Sequence, residues 1–233
     1  MIADRQATDW RKRRALITWA GEELSLLPER AVWWERKRTL FIADPHFGKA
    51  SAFRAAGIAV PELAHDADLA RLDSILSATA SAKLVILGDF FHARAGRTEA
   101  TLAALAAWRQ RHAKLEVTLV PGNHDRHAGA PPGEWHIDCV SNPWALPPFH
   151  CCHEPAEIPK SFVLAGHLHP SFHLHERIGS GVSGACFHFS ARVAVLPAFG
   201  SFTGTHRVTP AHHDRIFVAG PDEIVDVSAA IRC

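Results

Sequence analysis

Apolar and polar positions divide the chain into two regimes. In the first, short continuous apolar runs alternate with longer segments of helical spacing. Ala15 to Trp19, Ala31 to Trp34, Thr39 to Ala43, Lys83 to Leu87 and Leu115 to Val120 are such runs, and their length predicts strands buried on both faces. Residues 61–80 place Leu63, Leu69, Leu72, Ile75 and Leu76 near helical spacing, with Pro61 suited to a first turn. Thr98 to His112 reads as an alanine- and leucine-rich helix. This β-α-β-α-β order predicts a parallel or mixed sheet covered by helices. From residue 136 onward strand-like runs dominate: His136–Val140, Phe149–Cys152, Phe162–Ala165, Cys186–Leu196 and Arg215–Val218, separated by glycine and proline. Residues 126–135 read as a loop. No repeat and no interdomain linker interrupts the pattern, so residues 1–233 are expected to form a single α/β domain with two facing sheets.

Composition narrows the class. At 233 residues and 47% hydrophobic content, the chain buries a large core and is not disordered. A formal net charge of +1 excludes whole-molecule attraction to a polyanion; a nucleic-acid substrate would need a local basic patch. Arginine outnumbers lysine 19 to 6, which suits bidentate phosphate recognition but is better explained by compositional bias. The five cysteines form no CxxC pair, so reduced thiols and a cytoplasmic location are expected. Cys151, near His153, reads as a small buried strand residue rather than a thiolate ligand. The basic run Arg11-Lys12-Arg13-Arg14 reads as a solvated end, and no apolar stretch predicts a membrane span.

Five short segments carry the chemistry: Asp44-Pro45-His46, Gly88-Asp89-Phe90-Phe91-His92, Gly122-Asn123-His124-Asp125, His153, and Gly166-His167-Leu168-His169. Each follows an apolar run, and therefore the C-terminal end of an expected strand, where open α/β sheets place ligands. Asp44 and His46 are two apart, which in an extended segment projects both to one side. His167 and His169 repeat that spacing, and a small divergence would give each imidazole to a different cation. Asp89 is a short carboxylate suited to bridge two metals; Asn123 adds an amide oxygen and His153 an imidazole. Oxygen and imidazole donors without thiolate suit Mn²⁺, Fe²⁺ or Zn²⁺ better than Ca²⁺ or a structural zinc site. Two such cations ~3.5–4 Å apart clamp the attacking and leaving oxygens of an in-line displacement at phosphorus. Of the other histidines, His173 and His175 read as strand or surface residues and His212-His213 as a solvated turn.

The order DxH, GDxxH, GNHD, H, GHxH over residues 44–169 resembles the calcineurin-like metallophosphoesterase superfamily. That resemblance implies a four-layer sandwich of two facing mixed sheets flanked by helices. It also implies a first metal held by Asp44, His46 and His169, a second held by Asn123, His153 and His167, and Asp89 between them. His124 would act as general acid or charge stabiliser near the leaving oxygen, with Asp125 orienting its imidazole. The stretches Phe47–Ile58 and Leu196–Gly204 are similar to a bacterial group, the ligase-associated DNA damage response endonucleases (the PdeM group). This implies a Mn²⁺-dependent DNA nuclease in DNA repair, associated with an ATP-dependent DNA ligase and an Lhr-type helicase. Products with a 3′-hydroxyl and a 5′-phosphate are implied as well. Gly88–His92 is similar to the corresponding segment of double-strand-break repair nucleases, which gives His92 a positioning role. Lys49, Arg54 and Arg126 follow ligand segments closely enough to reach a phosphodiester backbone. Phe47 and Phe53 could stack on bases, although core packing fits them better.

The leading expectation is an endonuclease for single-stranded or flexible DNA. A hydrolase of a small phosphodiester or nucleotide-lipid pyrophosphate shares the motifs, and a non-catalytic scaffold would lack part of the ligand set. The pattern leaves a homodimer open.

Overall fold

The computed structural model describes residues 10–58, 60, 64–174 and 182–231. Pro61, Leu63 and His175 of the expectations above lie outside the described residues. The first sheet holds, in spatial order, β1 (Ala15–Trp19), β2 (Glu22–Leu27), β3 (Ala31–Trp34), β4 (Thr39–Ala43), β5 (Lys83–Leu87), β6 (Glu116–Val120) and β7 (Ile137–Cys139). Its first four strands are antiparallel neighbours, and β4 to β7 run parallel. The second sheet holds β8 (Trp144–Leu146), β9 (Phe149–Cys151), β10 (Phe162–Ala165), β11 (Pro170–Leu174), β12 (Val182–Phe189), β13 (Val193–Val195), β14 (His206–Arg207), β15 (Arg215–Ala219) and β16 (Ile224–Asp226). It is mixed too: β9, β10 and β13 are parallel, whereas β12 runs antiparallel to β11, β13 and β15. The described helices are α1 (Trp10–Arg13), α2 (Lys49–Ala55), α3 (Ala64–Thr79), α4 (Glu99–Arg111) and α5 (Asn123–Ala128).

Two-sided burial explains the continuous apolar strands. On β4, Leu40 and Ile42 join α3 and α4 residues such as Leu72, Ile75, Leu105 and Trp108 in one core. The alternate residues Phe41 and Ala43 face the second sheet, in a core with Phe149, Leu164, Phe187 and Phe217. On β5, Leu84 and Ile86 take the helix side, and Val85 and Leu87 the inter-sheet side. Aromatic rings tie the two sheets: Phe149 stacks on Trp19 at 5.7 Å and meets Trp34 edge-on at 5.1 Å. Full burial of each such side chain contributes about 1.5–3 kcal/mol. Helix α4 starts where Thr98 accepts a hydrogen bond from the Thr101 backbone N–H at 3.2 Å, which satisfies one orphan donor of the first turn. Thr98 and His112 are therefore the caps of the helix rather than its ends.

Two facing mixed sheets flanked by helices match the sequence reading, but several elements differ from it. The polar alternation of β2 hides a strand within residues 15–43. The run Cys186–Leu196 is broken by a turn at Ser190, whose side chain accepts from the Val193 N–H at 3.1 Å, so it forms β12 and β13 of a hairpin. Residues 126–135 are not all loop: α5 extends to Ala128 and a 3₁₀ turn spans Gly133–Trp135. The short strands β8, β11, β14 and β16 were not expected: β11 and β14 mix polar with apolar residues, and β8 and β16 are three residues long with turn residues close by. Cys151 and Cys152 are buried free thiols, and burial pushes the Cys151 thiol well up, against a thiolate role. No helix among the described residues is long and apolar enough to cross a membrane.

Candidate metal centre

All five segments emerge from strand C-termini: Asp44 after β4, Gly88 after β5, Gly122 after β6, His153 after β9 and Gly166 after β10. The first three lie on neighbouring parallel strands of one sheet and the last two on neighbouring parallel strands of the other. Segments far apart in the chain thus meet along one edge of the sandwich.

Their backbone is not extended there. Asp44, His46, Asp89, His167 and His169 have φ of 50°, 46°, 52°, 69° and 46°, a region L-residues seldom occupy. A left-handed turn, not the strand alternation expected from the i, i+2 spacing, therefore aims Asp44 and His46 inward. Such residues cost of order 1–3 kcal/mol each and persist only where their surroundings over-determine them. The surroundings do so with hydrogen bonds. His46 N–H donates to Asp89 O at 2.9 Å and Phe47 N–H to Phe90 O at 2.8 Å. His167 N–H donates to Asp44 Oδ2 at 2.8 Å, Gly200 N–H to Asp44 O at 3.2 Å and His206 N–H to His169 O at 2.9 Å.

Glycine is required where these turns crowd. A Cβ on Gly88, at φ +82°, would lie 2.0 Å from His153 Nδ1. Gly88→Ala is expected to destabilise the fold by well over the ~1 kcal/mol of the backbone effect alone, read as a fall in the thermal midpoint. A midpoint within a degree of wild type would contradict this packing.

The side chains fall into two groups. Asp44, His46 and His169 present donor atoms within 4.8 Å of one another, and so do Asp89, His153 and His167. His46 Nε2 lies 3.4 Å from His169 Nε2, and His169 Nε2 lies 3.7 Å from Asp44 Oδ2. In the second group His153 Nε2 is 3.0 Å from His167 Nδ1, 2.8 Å from Asn123 Oδ1 and 3.5 Å from Asp89 Oδ1. The other Asp89 oxygen turns to the first group, 3.7 Å from His46 Nε2. His167 and His169, two residues apart, thus belong to different groups.

Tautomers follow from second hydrogen bonds. His153 Nδ1–H donates to Leu87 O at 3.2 Å and His169 Nδ1–H to Gly204 O at 3.1 Å. A ring held this way turns Nε2 inward. Burial, reinforced by the Lys49 charge, pushes the His46 imidazole down to about 2, so it is neutral. In the second group His153 Nε2 faces the Asn123 carbonyl oxygen at 2.8 Å. Asp44 and Asp89 are 0% and 2% exposed, and Asp44 Oδ1 is buried without a hydrogen-bond partner. Burial pushes the Asp89 carboxyl up. Converging lone pairs and buried carboxylates fit divalent cations, which would satisfy both at once.

His124 and His92 border the first group. His124 Nδ1–H donates to the His92 carbonyl oxygen at 2.6 Å, and its Nε2 stands 3.9 Å from Asp89 Oδ2. The two rings stack at 5.0 Å. Burial, with Lys49 and His124 nearby, pushes His92 down to about 4. The expected role of Asp125 is corrected. Its carboxylate accepts from the Gly122 N–H, at the start of α5, at 2.8 Å and from the Phe91 N–H, in the segment after β5, at 3.3 Å. A backbone carbonyl, not Asp125, orients the His124 ring.

Lys49 and Arg54 stand on α2. Lys49 Nζ lies over the Phe53 ring at 5.8 Å, and partial burial lowers its pKa against the pull of Asp89 and Asp44. Arg54 and Arg126 are exposed. Phe47 is core, at 3% exposure. Asn142 escaped the sequence reading: its Nδ2 donates to Pro121 O at 3.1 Å and its Oδ1 accepts from the His153 N–H at 3.4 Å. No motif marks it. His173 pairs with Ser183 at 2.7 Å on the edge of a hairpin, and His212 and His213 are exposed.

Residues 37–177 match a family model described as calcineurin-like phosphoesterase. Among solved structures the chain is similar to the crystal structure of Pseudomonas putida nuclease MPE, with 42% identity and a TM-score of 0.79. The match covers 91% of this chain and 100% of that one. No curated protein matches the chain.

Proposed function

We propose that this chain, which belongs to the calcineurin-like phosphoesterase family, is a Mn²⁺-dependent DNA endonuclease acting on single-stranded or flexible DNA in DNA repair. As a member of that family it is a metal-dependent hydrolase. In this reading Asp44, His46 and His169 hold one cation, Asn123, His153 and His167 the other, and Asp89 serves both. When bound, the cations supply Lewis acidity and a nucleophile at neutral pH. The protein supplies the rest. His124, held by the His92 carbonyl, is positioned to give a proton to the leaving oxygen. Lys49, Arg54 and Arg126 offer cations to the flanking phosphates.

The observation that carries the reading is the division of Asp89 between the two groups, one oxygen 3.5 Å from His153 Nε2 and the other 3.7 Å from His46 Nε2. The choice of DNA is supported by the likeness to a nuclease at 42% identity and by the rim. Phe53 meets His92 edge-on at 5.7 Å and Phe202 at 6.3 Å, and Phe202 is 37% exposed. Aromatic side chains interleaved with cations suit unpaired bases, whose faces are free to stack. The functional link to a ligase and a helicase belongs to the same reading.

The rim also favours the second reading. Leu168, Ile58 and Phe202 are among the exposed large apolar side chains, and they would suit a lipid tail on a pyrophosphate. The deciding experiment loads the protein with Mn²⁺ and offers circular single-stranded DNA, linear duplex and a nucleotide-diphosphate lipid. Nicking of the circle is expected, with duplex cut more slowly. Hydrolysis of the lipid with no DNA nicked would sink the endonuclease reading. Phe202→Ala is expected to raise KM for the single strand about tenfold, since stacking on one base is worth roughly 1–3 kcal/mol. An unchanged KM would remove Phe202 from the substrate path.

A further inference from the structure

The stretch Leu196–Gly204 carries none of the ligands, yet it is wired to one half of the centre. Phe199 N–H donates to Ala43 O at 2.7 Å and Gly200 N–H to Asp44 O at 3.2 Å. Gly204 O accepts from His169 Nδ1 at 3.1 Å, and the His206 N–H donates to His169 O at 2.9 Å. Gly200 packs so closely that a Cβ there would lie 2.5 Å from Pro45 O. Within the stretch, Gly200 and Gly204 thus bond Asp44 and His169, both in the first group, Phe199 bonds Ala43 just before Asp44, and His206 just beyond the stretch adds to the hold on His169. The second group is held mainly by other elements, Leu87 O on His153 and Asn142 on the His153 backbone; it touches Asp44 through the His167 N–H on Oδ2 at 2.8 Å.

The stretch is in turn gripped from α3. Asp68, 7% exposed, accepts from the Ser201 N–H at 3.1 and 3.2 Å and from its hydroxyl at 2.5 Å. Arg71, one turn on, pairs with Asp68 at 3.0 Å. Its guanidinium donates to Ser201 Oγ at 2.9 Å and to Phe199 O, and it lies 4.3 Å over the ring of fully buried Phe199. A planar fork can reach two acceptors and stack on a ring at once; a lysine cannot. From β2–β3, Arg30 adds a longer bond to Ala198 O at 3.4 Å.

We propose that Asp68 and Arg71 are positioning residues for the first cation, resting on the two-cation reading above. They fix residues 198–204, which fix the strained backbone of Asp44 and the tautomer and direction of His169. Outer partners of this kind are worth about 10–100-fold in metal affinity, and here the effect falls mainly on one of two sites.

The test is calorimetric titration of the metal-free protein with Mn²⁺ alone, beside thermal unfolding of the same samples. Wild type is expected to take up two ions. Arg71→Lys and Arg71→Gln should weaken one site about 10–100-fold and leave the other near the wild-type affinity. Ser201→Ala removes the hydroxyl between the two residues from an exposed position and should weaken the same site by a smaller factor. That variant decides the matter if the Arg71 variants fail to fold. Two ions bound at wild-type affinity in all variants would overturn the proposal. So would equal weakening of both sites together with a lower metal-free midpoint, which marks a general structural role. Failure of wild type itself to bind two ions would overturn the two-cation reading and the proposal with it.

Discussion

Asp89→Ala is expected to lower DNA cleavage at least ~10³-fold, a barrier increase of about 4 kcal/mol at 1.36 kcal/mol per tenfold. The loss follows from the position of one carboxylate. Its Oδ1 faces His153 Nε2 at 3.5 Å and accepts the His124 N–H at 2.9 Å; its Oδ2 faces His46 Nε2 at 3.7 Å. Removing it takes a ligand from both groups and frees the backbone of α5 at its first turn. Mn²⁺ retained after gel filtration should fall from two ions per chain to one or none. The metal-free variant should nevertheless unfold at or above the wild-type temperature, because a buried carboxylate without a cation costs stability. Near-wild-type cleavage with two ions retained would show that Asp89 is not shared.

His124→Ala separates chemistry from binding. The imidazole is anchored by His92 O at 2.6 Å and stacks on His92, but its Nε2 stays 3.9 Å from Asp89 Oδ2. Its backbone N–H, which donates to Asp89 Oδ1, survives the substitution. Turnover is expected to fall about 10²–10⁴-fold, the usual range for a lost general acid, with both ions still bound and KM little changed. The competing outcome is built into the geometry, since His46, His92 and His124 also bring donor atoms within 4.8 Å of one another. Loss of an ion from the variant would make His124 a ligand and end its assignment as proton donor.

The candidate donors were legible because cation chemistry restricts them to a few residue types. Asp44, His46, Asp89, Asn123, His153, His167 and His169 could be named from segments that follow apolar runs, and the structure gathers them in two groups. Residues that act through their backbone could not be named that way. Gly204 orients His169 and Leu87 orients His153 with carbonyl oxygens, which every residue type possesses. Asp125 differs from its expected role for a related reason: a carboxylate beside a histidine suggests a side-chain pair, whereas the backbone N–H groups of Gly122, at the start of α5, and of Phe91, after β5, occupy it. Asp68 and Arg71 sit on a helix 22 and 25 residues beyond His46, and look like an ordinary surface ion pair until residues 198–201 fold over them.

By itself the sequence determined the sandwich and the chemistry. Alternate burial of continuous apolar strands follows from composition and period, and the donor types follow from what divalent cations accept. Only the tertiary structure decided which candidate donors lie together. Candidate ligands that leave strand ends at φ between 46° and 69° point where the surrounding hydrogen bonds force them, and those bonds join segments far apart in the chain, such as Asp44 and His167. Such long-range restraint has no period in the sequence, so no local pattern records it.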